Sequence, residues 1–326
     1  MSVFIIRRLM QAMLVVLVMS FLVFAGVYVV GDPTQILVAD DADQAERARV
    51  IAELGLDQPF HMQYLQFLGG ALSGNLGESF RFNEPALQLI LERLPATLEL
   101  AFVALAIAVF FGIPLGTWAG LRPESPVAKT IMTGSILGFS LPTFWVGIMM
   151  ILLFAVILGW LPSTGRSDEI TYVLGFPTTL FSLDGWAHIL LPAVNLALFK
   201  LSLVIRLSRA GAREVVHQDY IKFARAKGLS ESRVILVHVM KNILIPVVTV
   251  LGLEFGGLVA FSVVTETVFA WPGIGKLLIE SISFLDRPVI VAYLMIIVLI
   301  FVFLNLVVDI AYSILDPRVR LQDMKS

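Results

Sequence analysis

The stretch Ala96–Gly120, ATLELAFVALAIAVFFGIPLGTWAG, decides the fold, because it carries one charge, Glu99, in a run otherwise almost wholly apolar. A helix needs about 20 such residues to cross a bilayer. In hydrocarbon only a helix or a closed barrel satisfies its own backbone, so the stretch reads as a membrane-spanning helix. Five further runs of this kind follow at roughly Leu9–Val30, Ile131–Leu158, Ile189–Leu207, Pro246–Val268 and Val289–Ile314. The whole chain agrees: of 326 residues, 58% are hydrophobic and 15% charged, with a mean hydropathy of +0.90, whereas soluble domains carry about 25% charged residues. The first run follows Arg7 and Arg8 as a signal sequence would. It is longer than a cleavable apolar core and lacks an A-x-A site, so it is expected to stay as an anchor helix.

Lys and Arg fix the expected orientation. With the N-terminus inside, fifteen of the 23 fall in inner segments, seven in outer ones, and Lys200 within the fourth span. Positive residues are retained on the cytoplasmic side, so both termini are expected there. The chain has no cysteine, which excludes disulfides, thiolate nucleophiles and Cys-ligated metals. Its four His, at 61, 188, 217 and 238, are scattered rather than clustered.

Three outer segments follow from this topology. Residues 31–95 form an extracytoplasmic subdomain in which Phe60, Tyr64, Phe67 and Leu68 lie at helical spacing, an apolar face for the bundle or the membrane surface. Gly159–Gly185, with Pro162, Gly165, Gly175 and Pro177, reads as irregular turns with one short helix. Ala270–Pro288 is the third. The expected division is an anchor and outer subdomain over 1–95, a transmembrane core over 96–315 holding an inner loop at 209–241, and a cytoplasmic tail over 316–326.

The inner loop carries the function. Gly211–Asn242 reads GAREVVHQDYIKFARAKGLSESRVILVHVMKN. No Pro or Gly interrupts Glu214–Lys227, so one helix is expected, with Val216, Tyr220, Phe223 and Ala224 as its apolar stripe and Glu214, Asp219, Lys222 and Arg225 off it. Gly228 stops that helix by entering the left-handed region, and Ser230 can cap the next. Two helices meeting at a glycine turn behind the small Ala224 and Ala226 make a compact knob suited to a partner's groove.

Asp219-Tyr220-Ile221, Ala224-Arg225-Ala226-Lys227-Gly228-Leu229 and Asn242–Val247 resemble the coupling loop of binding-protein-dependent importer permeases, closest to the dipeptide and oligopeptide branch. The general motif has Glu-Ala-Ala, three residues, then Gly; here Lys222 and Phe223 fill its first two places, and only Ala224 and Gly228 match. Arg7-Arg8, Gly31-Asp32-Pro33, Gly74-Asn75-Leu76-Gly77, Leu141–Trp145, Glu266–Phe269, Trp271–Gly275 and Asp316-Pro317-Arg318 extend the resemblance to the B-type permease over the whole chain.

The resemblance implies an all-α membrane protein of six transmembrane helices with the type I ABC importer permease fold. It implies as partners a second homologous permease in a heterodimer, two cytoplasmic ATPase subunits that bind ATP and Mg, an extracytoplasmic peptide-binding protein and membrane lipid, with no nucleic acid. No cofactor is expected on this chain, which lacks the G-x-x-x-x-G-K-[ST] phosphate loop and so does not hold ATP itself. The residues expected to couple to the ATPase are Glu214, Asp219, Tyr220, Ala224, Arg225, Ala226, Lys227, Gly228 and Leu229.

Charges inside spans are costly and usually face a cavity or a partner. Glu99, Lys200, Glu254, Glu266 and Asp309 meet that description, with Asn195 and Asn305 as uncharged companions. Lys200, Glu254 and Asn195 are the candidates for the translocation path; local pairing is the alternative. Pro142 and Pro114 break backbone hydrogen bonds inside spans and make static kinks or hinges. Trp271, Pro272 and Gly273 form either part of an outer gate or a plain packed turn. Glutathione or nickel-chelate cargo, and a proton-coupled secondary transporter, are the competing functions.

Overall fold

The computed structural model describes residues 2–27, 44–53 and 57–315, whose regular structure is almost entirely helical. The elements are α1 Ser2–Val27, α2 Gln44–Glu53, α3 Phe60–Leu72, α4 Ala86–Leu121, α5 Pro126–Ser140 and α6 Thr143–Met150, extended by wide π turns over Ile151–Ile157. A hairpin follows, β1 Thr171–Val173 and β2 Phe176–Thr178, and then α7 Leu183–Val215 and α8 Asp219–Ala226. Next come α9 Glu231–Arg233, π turns over Val234–Val239, α10 Met240–Val268, α11 Ile274–Ser283 and α12 Arg287–Leu315. Among the described residues five helices are long and apolar enough to cross a membrane, and the bent pair α5–α6 brings the number to six. The motifs Gly31-Asp32-Pro33 and Asp316-Pro317-Arg318 lie outside the described residues.

The chain forms two compact units, residues 98–271 and residues 1–97 with 272–326. In the first, α4 carries Gly112, Gly116 and Gly120 at four-residue intervals, on one face of the helix. A methyl group at these positions would come within 2.7 Å of Val204 Cγ1, 2.4 Å of the Ile205 carbonyl and 2.7 Å of Ala212 Cβ. Bare backbone is therefore what lets α4 lie against α7. Lipid offers helices no hydrophobic drive to associate, so such close approach is how they hold together. The opposite face of α4 exposes Phe110 and Trp118.

The run Ile131–Leu158, expected as one kinked span, is two helices set at 106°. Pro142 lacks an amide hydrogen and forces the residue before it out of helical geometry; Leu141 is extended, with φ −82° and ψ 138°. Pro142 then stands at the N-terminus of α6. It is a true break, not a bend within a helix.

The outer segment 159–185 also departs from expectation. It holds an antiparallel hairpin with Thr171 opposite Thr178 and Val173 opposite Phe176. Leu174 and Gly175 both take positive φ, +51° and +85°. That is the mirror-image turn whose twist matches a two-residue hairpin.

In the other unit α1 packs against α12 through Val23, Ile290, Val291 and Met295. The predicted aromatic face of α3 meets α1: Phe24 stacks on Phe67 at 5.3 Å, Phe21 meets Tyr64 edge-on at 5.4 Å, and Ser20 and Tyr64 share a 2.9 Å hydrogen bond. Fully buried Asp286 accepts hydrogen bonds from Ser79 Oγ at 2.5 Å and from the Phe80 amide at 3.2 Å, pinning the segment ahead of α4 to the turn between α11 and α12.

Candidate functional site: an inner knob and an intramembrane ion pair

The inner loop folds as a knob. The helix expected over Glu214–Lys227 is broken at Val216–Gln218, so α7 ends at Val215 and α8 begins at Asp219. This break changes the helical phase. Ile221 and Ala224 are buried, while Tyr220 and Phe223, expected beside Ala224 on the packed stripe, are exposed at 44% and 61%. Ile221 and Ala224 join Val234, Val239 and Ile243 in one core cluster, with Leu229 packed against it. The knob is thus fastened by its inner face to the start of α10.

Gly228 ends α8 as predicted, with φ +77°. The Leu229 amide donates to the Ala224 carbonyl at 3.3 Å and the Gly228 amide to the Arg225 carbonyl at 2.9 Å. These are the two bonds of a Schellman turn, and they satisfy the otherwise free last carbonyls of the helix. Across that turn Arg225 grips Glu231 with two bonds, 2.8 and 3.2 Å. Lys227 sits 4.6 Å over the Phe223 ring, and Lys222 bonds Asp219 at 2.9 Å. That bond, and next the Lys222 charge, hold the Asp219 carboxyl below its ordinary value of 3.8. Ser230 takes the extended N-cap backbone conformation without a side-chain capping bond, contrary to expectation. Glu214 and Ala226 are exposed at the knob's edges.

Of the path candidates, Lys200 on α7 and Glu254 on α10 are brought together as an ion pair. Lys200 is nearly buried, whereas the Glu254 side chain keeps 36% of its surface open. Asn195 is fully buried; its amide donates to Thr265 Oγ1 at 3.1 Å, so it braces α7 on α10 and lines no open surface. Trp271 is fully buried as well, and its amide donates to the Glu266 carbonyl at 2.8 Å. Gly273 begins α11, where the Ile274 amide donates to Thr97 Oγ1 at 2.9 Å. Trp271 and Gly273 are thus buried in this turn, while Pro272 between them is exposed. Nothing is described of the Asp309 side chain.

A second buried pair was not anticipated. Glu99 Oε2 meets Arg166, and Glu99 Oε1 accepts from Thr178 Oγ1 at 3.0 Å, the Thr179 amide at 2.7 Å and Thr179 Oγ1 at 3.0 Å. Arg166 also donates to the Pro177 carbonyl at 3.0 Å. Glu99 stood out as a charge in an apolar run; its partners, 67 to 80 residues away, gave no signal.

The family described as "Binding-protein-dependent transport system inner membrane component" matches residues 112–321, and its N-terminal companion matches residues 1–101. The chain belongs to that family. The permease is 41% identical to the di/tripeptide transport system permease protein DppB of Pseudomonas aeruginosa, over 98% of this chain and 99% of the relative. It is 37% identical to the dipeptide transport system permease protein DppB of Escherichia coli, over 97% and 98%. An inward-facing structure of the MetNI methionine ABC transporter shares the fold, with a TM-score of 0.53 at 17% identity over 70% of this chain and 97% of that one. The permease is thus a multi-pass inner-membrane subunit of an importer with the type I fold, a family that works with ATPase and substrate-binding partners.

Proposed function

We propose that this permease forms half of the path by which di- or oligopeptides enter the cell, coupled through α8 to ATP hydrolysis on partner subunits. The cargo comes from the relatives, which are di/tripeptide and dipeptide permeases along nearly their whole length. In this reading a second, homologous permease completes the path and two cytoplasmic ATPases hold ATP and Mg. Glu214, Asp219, Tyr220, Arg225, Ala226, Lys227, Gly228 and Leu229 form or brace the surface that meets one ATPase. Ala224 anchors that surface from within.

One observation carries the coupling role: an exposed aromatic pair, Tyr220 and Phe223, on a short helix whose other face is fully buried. Aromatic side chains of this kind are typical anchors of protein interfaces. The Schellman turn and the Arg225–Glu231 clamp make the knob stiff, and its core runs into α10, so a push on α8 is delivered to a membrane span. ATP-driven closure of the ATPases would then rock the spans between inward- and outward-facing states.

Phe223→Glu tests the proposal without touching the buried face. Uptake and co-purification of the ATPase are expected to fall at least about 30-fold, the loss of an interface anchor worth about 2 kcal/mol. Membrane insertion should be unchanged. Normal uptake at normal expression would sink the coupling role. A charged residue at Ala224 is a poorer test, because it would disrupt the knob itself.

A further inference from the structure

The Lys200–Glu254 pair lies deep in its span. Glu254 is eight residues from Pro246 and fourteen from Val268 on a 23-residue span, about 12 and 21 Å along the helix. A charge at that depth is not turned to lipid; it faces a partner or a water-filled space. The two halves of the pair differ. Lys200 is closed in and also lies 5.2 Å from the Phe199 ring, whereas Glu254 is open along one edge. Beside the paired oxygen stands Gly257, where a Cβ would lie 3.6 Å from Lys200 Nζ and 3.8 Å from Glu254 Oε2. Leu253 and Phe261 are exposed along the same helix.

We infer that the open edge of Glu254 is a transient contact for the α-ammonium of a peptide in transit, with Lys200 as the positioning residue that holds the carboxylate when the path is empty. The inference rests on the peptide reading above. Every peptide with a free N-terminus presents an ammonium whatever its side chains, so one carboxylate serves a cargo of variable sequence. Because Lys200 already balances its charge, Glu254 attracts a passing cation only weakly, which favours release. The apolar surface of Leu253 and Phe261 gives variable side chains no specific hold. The missing side chain at Gly257 leaves the ion pair itself uncovered on that side.

The test uses the complete transporter with its binding protein in vesicles, importing dialanine. The double variant Lys200→Glu/Glu254→Lys keeps an ion pair but presents a cation at the open edge. Uptake is expected to fall about tenfold, the loss of one charge-assisted hydrogen bond, with binding-protein-stimulated ATP hydrolysis within about twofold of wild type. Uptake restored to the wild-type level by the swap would make the pair merely structural and overturn the inference. If the swapped chain fails to assemble, Gly257→Leu decides: shielding the pair without altering charge should reduce uptake while ATP hydrolysis persists, and full uptake would again overturn it. Wild-type import of dialanine is the control for the cargo reading. Its absence removes that reading, whereas wild-type import alongside full import by the variants removes the Glu254 assignment alone.

Discussion

Glu99 and Glu254 are both carboxylates in membrane spans, each paired with a cation from a distant segment, yet their surroundings are opposite. Glu99 has its pair with Arg166 and three further hydrogen bonds, and its side chain is 4% exposed. Glu254 has Lys200 on one edge and open space on the other. A carboxylate with its acceptor positions filled has nothing left to offer a ligand; it ties the outer hairpin to α4. One with an unused edge can take a second partner. The number of unfilled acceptor positions, rather than the presence of charge, separates a structural pair from a candidate contact.

The largest expected effect tests the closed member. Glu99→Gln leaves the nearly buried Arg166 guanidinium without its counter-charge, and breaking a buried pair in this way costs about 3–5 kcal/mol. Arg166 has no slack, since its Nε already lacks a hydrogen-bond partner in the structure. The purified permease should melt well below wild type or fail to accumulate. Glu254→Gln, measured in the same way, should lose less stability because its carboxylate has an open edge. If the two variants melt alike, the contrast between the sites is wrong.

The parts of this arrangement legible in the sequence are those set by local composition. Spans were legible because some 20 apolar residues have few alternatives to a membrane helix, and Gly228 because a helix end needs a left-handed residue. Pro142 announced a disturbance but not its 106° angle, which depends on what each half packs against. Glu99, Lys200 and Glu254 each stood out as charges in apolar runs, but pairing across 54 or 67 residues is a tertiary fact. The exposed face of α8 was misassigned for a different reason. Tyr220 and Phe223 are apolar enough to read as core, and only the break at Val216–Gln218 reveals that Ile221 and Ala224 take the inward positions. The role of Gly112, Gly116 and Gly120 was not read from the sequence, because bare backbone there gains meaning only once α7 is known to lie against α4.

A smaller change sharpens the account of the closed site. Thr179→Val keeps the shape of a side chain that is 1% exposed but removes one hydroxyl donor to Glu99, leaving the backbone amide of residue 179 in place. The loss should be about 1–2 kcal/mol, read as a midpoint about 2–4 °C lower per kcal/mol in a thermal melt. Transport by the surviving protein should be normal. Lost transport with an unchanged melt would mean that the Glu99 cluster takes part in the cycle rather than in holding the hairpin.

The least effect is expected at the third acidic site, Asp219, where the pair with Lys222 is fully in water. Its carboxyl is held low by the Lys222 hydrogen bond and then by the Lys222 charge. A carboxyl depressed in the folded state adds stability above its unfolded value, and that stability is lost as pH falls through the folded value. Asp219 also stands in the first turn of α8, where a negative charge favours the helix. Amide exchange in α8 should therefore be slightly faster in Asp219→Asn than in wild type from pH 5 to 7, and the two should converge once the medium is more acidic than the folded carboxyl. A difference that persists under acid would show that Asp219 acts through its shape or hydrogen-bond geometry. Exposed, half-open and closed carboxylates would then no longer form a single scale set by access to water.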